Sequence, residues 1–374
     1  MASNSFDGVG LAGLLPAPLP ERHSEQPMTT SSFSLTLRPY RSPADQAAIA
    51  AIHAARMEAG EIDPLSCYET VPTPEAIAAY YDGHRFNPTH NEIMAEVDGT
   101  PRHGCAVSAA SDRAGEVAAC GSPVVGCSEV AWWTELDGTW VYLHEEFVAP
   151  AWRGPGIERA LLRAMEERLS RVAAGHPTQD KAALATNATS AEPERRALVL
   201  EEGYRYTFSV LEMQRALDTL PQAPLPTGLT LRHPRRDEYR ALYQAMREAY
   251  AGKTLVEGFS EESYQKWAAD PRHDPSLELL AWDEAQRTVA GLVWPRLDRG
   301  HGVIEEFVVR PAYRRRGLGR ALFVAGLAAL RERGAAMVRL HTLAHSPGGA
   351  RQLYEQLGFR TVKSFDRYRK AMGA

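Results

Sequence analysis

The chain has 374 residues, 44% hydrophobic and 24% charged, with a formal net charge of -5. That length accommodates two domains with their own cores, and that balance is typical of soluble globular proteins. The small negative charge speaks against general nucleic-acid binding, and no apolar run of about eighteen residues is present to span a membrane.

Residues 1–34 are rich in Pro, Ser and Gly without a period and read as a disordered leader, with Met28 as a second candidate start. The first residues lack a basic region ahead of a long apolar one, so no signal peptide is expected and a cytoplasmic location is. Leu35–Arg38 reads as a strand, Ala44–Glu58 and Pro74–Tyr81 as helices, and Glu92–Val97 as a strand ended by Asp98-Gly99. Residues 100–122 read as an added hairpin or surface loop. Val124–Trp133 and Thr139–Val148 flank Asp137-Gly138, a hairpin signal. Ile157–Leu169 is an amphipathic helix, Gln179–Ala191 holds a short strand, and Arg195–Glu202 is a helix ended by Gly203. The four cysteines, Cys67, Cys105, Cys120 and Cys127, form no C-x-x-C pair and have no histidine pair at ligand spacing nearby, so they read as free thiols and no metal is expected.

Leu220–Gly228 holds three prolines and reads as a linker, about residues 219–228. Leu229–Arg232 then repeats the opening strand, followed by a helix from Asp237 to Tyr250 and strands at Leu277–Trp282 and Val289–Leu297. In Val303–Gly334 a strand of β-branched and aromatic residues is stopped by Pro311. Arg314-Arg315-Arg316-Gly317-Leu318-Gly319 turns the chain, and Leu322, Phe323, Leu327 and Leu330 then recur at helical spacing up to Gly334. A glycine turn that opens a helix leaves N–H groups unpaired at the positive end of the helix dipole, which makes a cup for an anion. Val338–Leu343 is the next strand, Gly349–Leu357 a helix and Thr361–Met372 the closing strand region.

The stretch around Gly317 resembles the acetyl-CoA signature of the GNAT acyltransferases, Arg/Gln-x-x-Gly-x-Gly/Ala, met here by Arg314, Gly317 and Gly319. Ala350-Arg351-Gln352-Leu353-Tyr354-Glu355-Gln356-Leu357-Gly358-Phe359 resembles the family's A-x-x-L-Y-E-x-x-G-F helix. The resemblance implies an α/β (α+β) fold: a mixed, mostly antiparallel twisted sheet flanked by helices and splayed between its fourth and fifth strands, where CoA enters. It implies acetyl-CoA as cosubstrate. The backbone of Phe307, Val308 and Val309, at a strand bulge, would hold the pantetheine arm and the acetyl oxygen. The amides of Arg315, Arg316, Gly317, Leu318, Gly319 and Arg320 would hold the pyrophosphate, with Arg314 to Arg316 also near the 3′-phosphate. Pro347 stands where the family often has an Asn, so Ser346 or His345 would supply part of that CoA contact. Tyr354 matches the tyrosine that protonates the CoA thiolate. Glu305 and Glu306, on opposite faces of the strand, are candidates for the base, Glu305 being the first choice. His341, His345 and Ser346 are further candidates.

The two halves repeat one plan. His144-Glu145-Glu146-Phe147-Val148 parallels Ile304-Glu305-Glu306-Phe307-Val308, and Pro150-Ala151-Trp152-Arg153 parallels Pro311-Ala312-Tyr313-Arg314. The first copy carries about 33 extra residues ahead of its loop. It also departs where cofactor chemistry lies: Glu158 replaces Gly319, Pro155 replaces Arg316 and Val199 replaces Tyr354. Two GNAT folds in tandem are therefore expected, a degenerate copy at 35–218 and a catalytic copy at 229–374. The expected activity is direct transfer of acetyl to an amine of a small molecule, by a monomer or homodimer. The rivals are a CoA-binding sensor or scaffold without turnover, and transfer to a protein or peptide amine.

Overall fold

Alternating and helical apolar patterns become strands and helices at nearly the expected places. The computed structural model describes residues 28–30, 33–41, 43–82, 91–99, 123–135, 137–154, 156–176, 181–251, 259–345 and 349–372. Residues 1–27 of the expected leader, the expected hairpin at 100–122, Cys105, Cys120, Pro155, Ser346 and Pro347 lie outside these. The first half runs β1 (Met28–Thr30), β2 (Phe33–Pro39), α1 (Ala44–Glu58), α2 (Pro74–Asp82), β3 (Ile93–Gly99), β4 (Val124–Thr134), β5 (Trp140–Val148), α3 (Ile157–Ala173), β6 (Ala182–Thr189), α4 (Pro193–Glu201) and β7 (Arg205–Ala216). The second runs β8 (Leu229–Arg232), α5 (Tyr239–Tyr250), α6 (Glu261–Ala268), β9 (Leu279–Asp283), β10 (Thr288–Asp298), β11 (His301–Val309), α7 (Leu318–Glu332), β12 (Met337–Leu343), α8 (Ala350–Gln356) and β13 (Arg360–Ala371).

Two elements differ from the sequence reading. Met28–Thr30 lies within the expected leader yet pairs with Phe33–Leu35 as an edge strand. No apolar period marks Glu261–Ala268, and none of its residues is buried. Its start is set instead by a cap, the Ser260 hydroxyl accepting from the Ser263 N–H at 3.1 Å.

All strands join one sheet in the order β1-β2-β3-β4-β5-β6-β13-β7-β12-β11-β10-β9-β8. Among the described residues the pairs β5–β6 and β11–β12 are parallel and the rest antiparallel. The two halves meet at an exchange. β7, the last strand of the first copy, pairs with β12 of the second from Ala216–Met337 to Val210–Leu343. β13 in turn pairs with β6 of the first. β7 and β13 lie side by side at the centre. Residues 217–228 form no helix or strand and lead from this centre to the far edge, where β8 lies.

Helix α7 packs on the second copy's strands through Leu322, Phe323, Leu327 and Leu330, all fully buried. Each such side chain contributes roughly 1.5–3 kcal/mol by leaving water. The approach is close: a Cβ on Gly302 of β11 would lie 2.7 Å from Leu330 Cδ1. This packing fixes the start of α7 against the end of β11. The equivalent helix α3 buries Leu161, Leu162, Met165 and Leu169.

Cleavage of the chain within residues 221–226 should leave two fragments that co-elute in size-exclusion chromatography, because the β7–β13 ladder from Gln214–Arg360 to Arg205–Arg369 survives the cut. Two separate folded peaks would show that the exchanged strands do not hold the halves together.

Candidate active site

The loop after β11 has the shape an anion needs. Pro311–Tyr313 form a single 3-10 turn, and α7 starts at Leu318 behind Gly317. Gly317 has φ +82° and Arg315 φ +62°, both left-handed. Glycine takes that conformation without strain, whereas arginine there is held against its preference. The first N–H groups of α7 have no partner within the helix. Its first turn holds no acidic residue, so the positive end of the dipole is uncompensated. Gly319 forms the floor of the cup: a Cβ there would already touch Phe307 Cζ at 3.5 Å and Val309 Cγ2 at 3.6 Å. Leu318 is buried in the core beneath, and Arg320 is half-buried. The three arginines separate by role. Arg314 is engaged with backbone, donating to Val309 O at 3.0 Å and Ala249 O at 2.8 Å. Arg315 and Arg316 are exposed beside the cup.

Beside this loop the sheet opens. Parallel pairing of β11 with β12 runs only from Gly302–Val338 to Ile304–Leu340. Both strands continue, so β11 from Glu305 to Val309 faces the opening without β12 as a ladder partner. Phe307 and Val309 are half-buried there and Val308 is buried. The bulge, expected at Val308-Val309, lies three residues earlier. Trp294 pairs with Glu306 and Pro295 with Ile304, which leaves Glu305 as the extra residue. The reason is chemical: Pro295 has no N–H to give the ladder, and a bulge tolerates that loss.

The two glutamates have different surroundings. Glu305 is ion-paired with Arg296 and, at 3.4 Å, with Arg272. Glu306 accepts a hydrogen bond from the Tyr250 hydroxyl at 2.5 Å and one from the Phe307 N–H at 3.0 Å. Tyr354 stands on α8, packed on Phe323 with ring centroids 5.0 Å apart and on Phe307 at 6.4 Å. Burial and the nearby Glu306 charge push its phenol well above the ordinary value, so it keeps its proton. His345 is exposed. His341 on β12 is pushed down to about 3 by burial and by Arg339 and Arg296, so it stays neutral.

A loop of the first copy lies across this region. Between α1 and α2, Arg299 donates to Pro64 O at 2.7 Å and Ser66 O at 2.5 Å. Arg339 pairs with Asp63 at 2.6 Å, Lys363 with Glu69, and Arg367 with the Tyr68 hydroxyl. The loop brings the Cys67 thiol to 3.6 Å from His341 Nε2 and 3.6 Å from Glu212 Oε1. That oxygen already accepts from the Cys67 N–H at 3.0 Å, and the sulfur is nearly equidistant from both ring nitrogens, 3.6 and 3.8 Å. The geometry is that of a hydrogen-bonded thiol, with the sulfur aligned on neither nitrogen lone pair. Burial and then Glu212 raise the thiol further from ionisation.

The first copy has the same opening, since β5 pairs with β6 only from Trp140 to Leu143. Its content differs. β5 keeps an unbroken register against β4, so Glu305 has no counterpart and Glu145 takes the register of Glu306. The opening is lined by the protein's own paired charges. Arg153, in the place of Arg314, pairs with Glu61 and lies 3.5 Å from Glu158, which stands where Gly319 would be. Arg195 pairs with Glu146 at 2.7 Å, and Arg56 with Glu192 at 2.9 Å. Val199 is fully buried in the place of Tyr354.

A mixed sheet splayed between its fourth and fifth strands, with a glycine-opened helix start and a buried phenol beside the splay, defines an acyltransferase of the acyl-CoA-dependent kind. Residues 239–359 match the acetyltransferase (GNAT) family. The chain is 31% identical to a mycothiol acetyltransferase of Clavibacter michiganensis over 231 residues, 61% of this chain and 72% of that protein. It is 34% identical to one of Thermomonospora curvata over 220 residues, 58% and 69% of the two chains. A GCN5-related N-acetyltransferase from Sphaerobacter thermophilus superposes with a TM-score of 0.67 at 24% identity, covering 91% of this chain and 97% of that one. A tandem GNAT protein from the clavulanic acid biosynthesis pathway gives 0.59 at 18% identity, covering 91% and 99%. The chain belongs to the GNAT acetyltransferases, with two copies of that fold in tandem, and its mycothiol acetyltransferase relatives are enzymes.

Sequence reading missed Tyr250, the arginines around Glu305 and the first-copy loop. Nothing local marks them; Tyr250 meets Glu306 only because α5 packs on β11.

The ion pairs of the first-copy opening set a pH window. Burial would raise Glu146 and Glu192, but His144 and Arg195 around the first, and Arg56 and Arg195 around the second, bring both down to about 2. Groups lowered on folding stabilise above their unfolded value of ~4.3, and that stability is lost as pH falls toward 2. Acid unfolding followed by circular dichroism should therefore fall between about pH 4.5 and 2. Arg195→Met should raise its midpoint, because Glu146 would remain buried without its cation; an unmoved midpoint would assign acid stability elsewhere.

Proposed function

We propose that the chain transfers acetyl from acetyl-CoA directly to a primary amine of a small molecule, in the opening of its second copy. One observation carries this reading: the free N–H groups of α7, the Glu306 carboxylate and the Tyr354 phenol converge on the same splay between β11 and β12. The α7 cup, with Arg315 and Arg316, holds the pyrophosphate. Backbone groups of β11 beyond Ile304 hold the pantetheine arm and polarise the acetyl oxygen. Glu306 takes the proton of the amine, directly or through water. Glu305 is the poorer base, because two arginines already hold its charge. The amine attacks the thioester carbon, the C–S bond breaks, and Tyr354 gives its proton to the departing sulfur. A phenol whose proton is retained at neutral pH suits that last step.

The first copy takes no cofactor in this reading. Its carboxylates occupy the place of the phosphates, and its loop at 61–69 narrows the acceptor side of the second opening. The name of the relatives supports an acceptor of the mycothiol-precursor type, and that amine is the first to assay.

Calorimetry should find one acetyl-CoA per chain, and two equal sites would return the first copy to function. Gly319→Glu, which copies the first repeat, should weaken acetyl-CoA binding about a hundredfold by placing a carboxylate beside phosphate. Tyr354→Phe should lower kcat by ~10²–10⁴-fold with acetyl-CoA affinity nearly kept. A near-normal kcat would make Tyr354 a packing residue.

A further inference from the structure

We propose that Tyr250 is a positioning residue of this reaction, whose hydroxyl holds the Glu306 carboxylate in place and in its ionised form. The inference rests on the N-acetyltransferase reading and adds to it the group that makes Glu306, and not its neighbour, the base.

The geometry is direct. Tyr250 is the last residue of α5, and its hydroxyl donates to Glu306 Oε1 at 2.5 Å. A hydrogen bond to a carboxylate is stronger than one between neutral groups and orients the acceptor. The Tyr250 ring is itself held, stacked on Phe259 with centroids 6.2 Å apart and planes at 22°. The backbone leading to it is pinned from the cofactor side. Arg314 donates to Ala249 O at 2.8 Å, and Arg310 pairs with Glu248 at 2.8 Å. Both arginines follow β11, so the residues that set the shape of the phosphate loop also set the position of the phenol. Base and cofactor loop are therefore one rigid assembly, the condition under which a carboxylate is ready before the amine arrives.

The groups around Glu306 come from several elements. Tyr250 faces it from α5, and its charge reaches the Tyr354 phenol on α8. On its own strand, the Phe307 N–H donates to it, and the adjacent Glu305 has its charge taken up by Arg296 of β10 and by Arg272 ahead of β9. Arg296 and Arg272 thus pair with Glu305, while Glu306 takes the Tyr250 phenol as a donor at 2.5 Å. Burial and then the Glu306 charge keep that phenol protonated, so it remains a donor throughout the working pH range. Among the described residues the first copy shows no such arrangement: α1 ends in Arg56-Met57-Glu58, and Arg56 is engaged by Glu61 and Glu192.

The test reads the carboxyl group itself. With glutamate labelled by 13C at the side-chain carboxyl carbon, the Glu306 resonance is assigned by its disappearance in Glu306→Gln. In Tyr250→Phe this resonance should titrate about one to two pH units higher than in the wild-type protein. With an acceptor in hand, the acidic limb of the pH–rate profile should move by the same amount. At its plateau kcat should fall about tenfold through lost orientation while KM for acetyl-CoA stays near normal. Tyr250→Gln, which keeps a donor, should recover part of both effects, and it serves for the titration should the phenylalanine variant fold poorly. A Glu306 titration unmoved by removal of the hydroxyl overturns the proposal whatever happens to the rate. The titration needs no acceptor, so a wild-type protein that acetylates no amine would count against the transferase reading separately.

Discussion

The site depends on one loss of pairing. After Ile304, β11 no longer has β12 beside it, although both strands continue. A strand that keeps one neighbour and gives up the other presents backbone donors and acceptors to a cleft instead of to a ladder. Leu322, Phe323 and Leu327 press α7 onto the sheet, which sets the distance between cup and strand. The bulge at Glu305 belongs to the same event. One extra residue, opposite a proline that cannot pair, sends Glu305 toward Arg296 and Arg272 and leaves Glu306 to Tyr250. Two adjacent acids thereby acquire different chemistry without any change of residue type.

The two copies show what the same opening does with and without its own counter-charges. In the second copy the start of α7 carries no acid, and the space beside it is available to an anion. In the first copy Glu158 sits in the first turn of α3, and Glu61, Glu146 and Glu192 meet Arg153, Arg195 and Arg56. These buried pairs compensate one another closely, and breaking any of them would leave a charge stranded away from water. The first copy lines its opening with paired charges and has a loop that reaches the other half.

How much of this was legible in the sequence follows from how local each feature is. The glycine loop, the helix with Tyr354 and the hairpin at Asp137-Gly138 are each written in a few consecutive residues, and each was legible. So was the departure of Glu158 from the pattern. The candidate base was half legible: both acids stood out, but proposing one over the other required knowing that Pro295 lies across the ladder. Tyr250 was not legible, since its partner is far along the chain. Neither was the strand exchange, because β7 and β13 end in similar residues, Met213-Gln214-Arg215-Ala216-Leu217 and Tyr368-Arg369-Lys370-Ala371-Met372, and either sequence suits either slot. Helix α6 lay outside the reach of periodicity, because none of its residues is fully buried.

The exchange also bears on how the molecule comes into being. β6 takes β13 as its neighbour, so the first copy's sheet is completed by residues synthesised long after it. A ribosome that has just released the first half has made a sheet with an open edge at β6, and β7 has no β12 to join. Folding domain by domain, the usual course for long chains, cannot finish here until β13 emerges. The contacts that close the structure span well over a hundred residues, and such long loops close slowly. β13 thus acts as a checkpoint for both halves: a chain truncated before Arg360 would lack a strand that both halves share, and would expose sheet edges in the form most prone to aggregate.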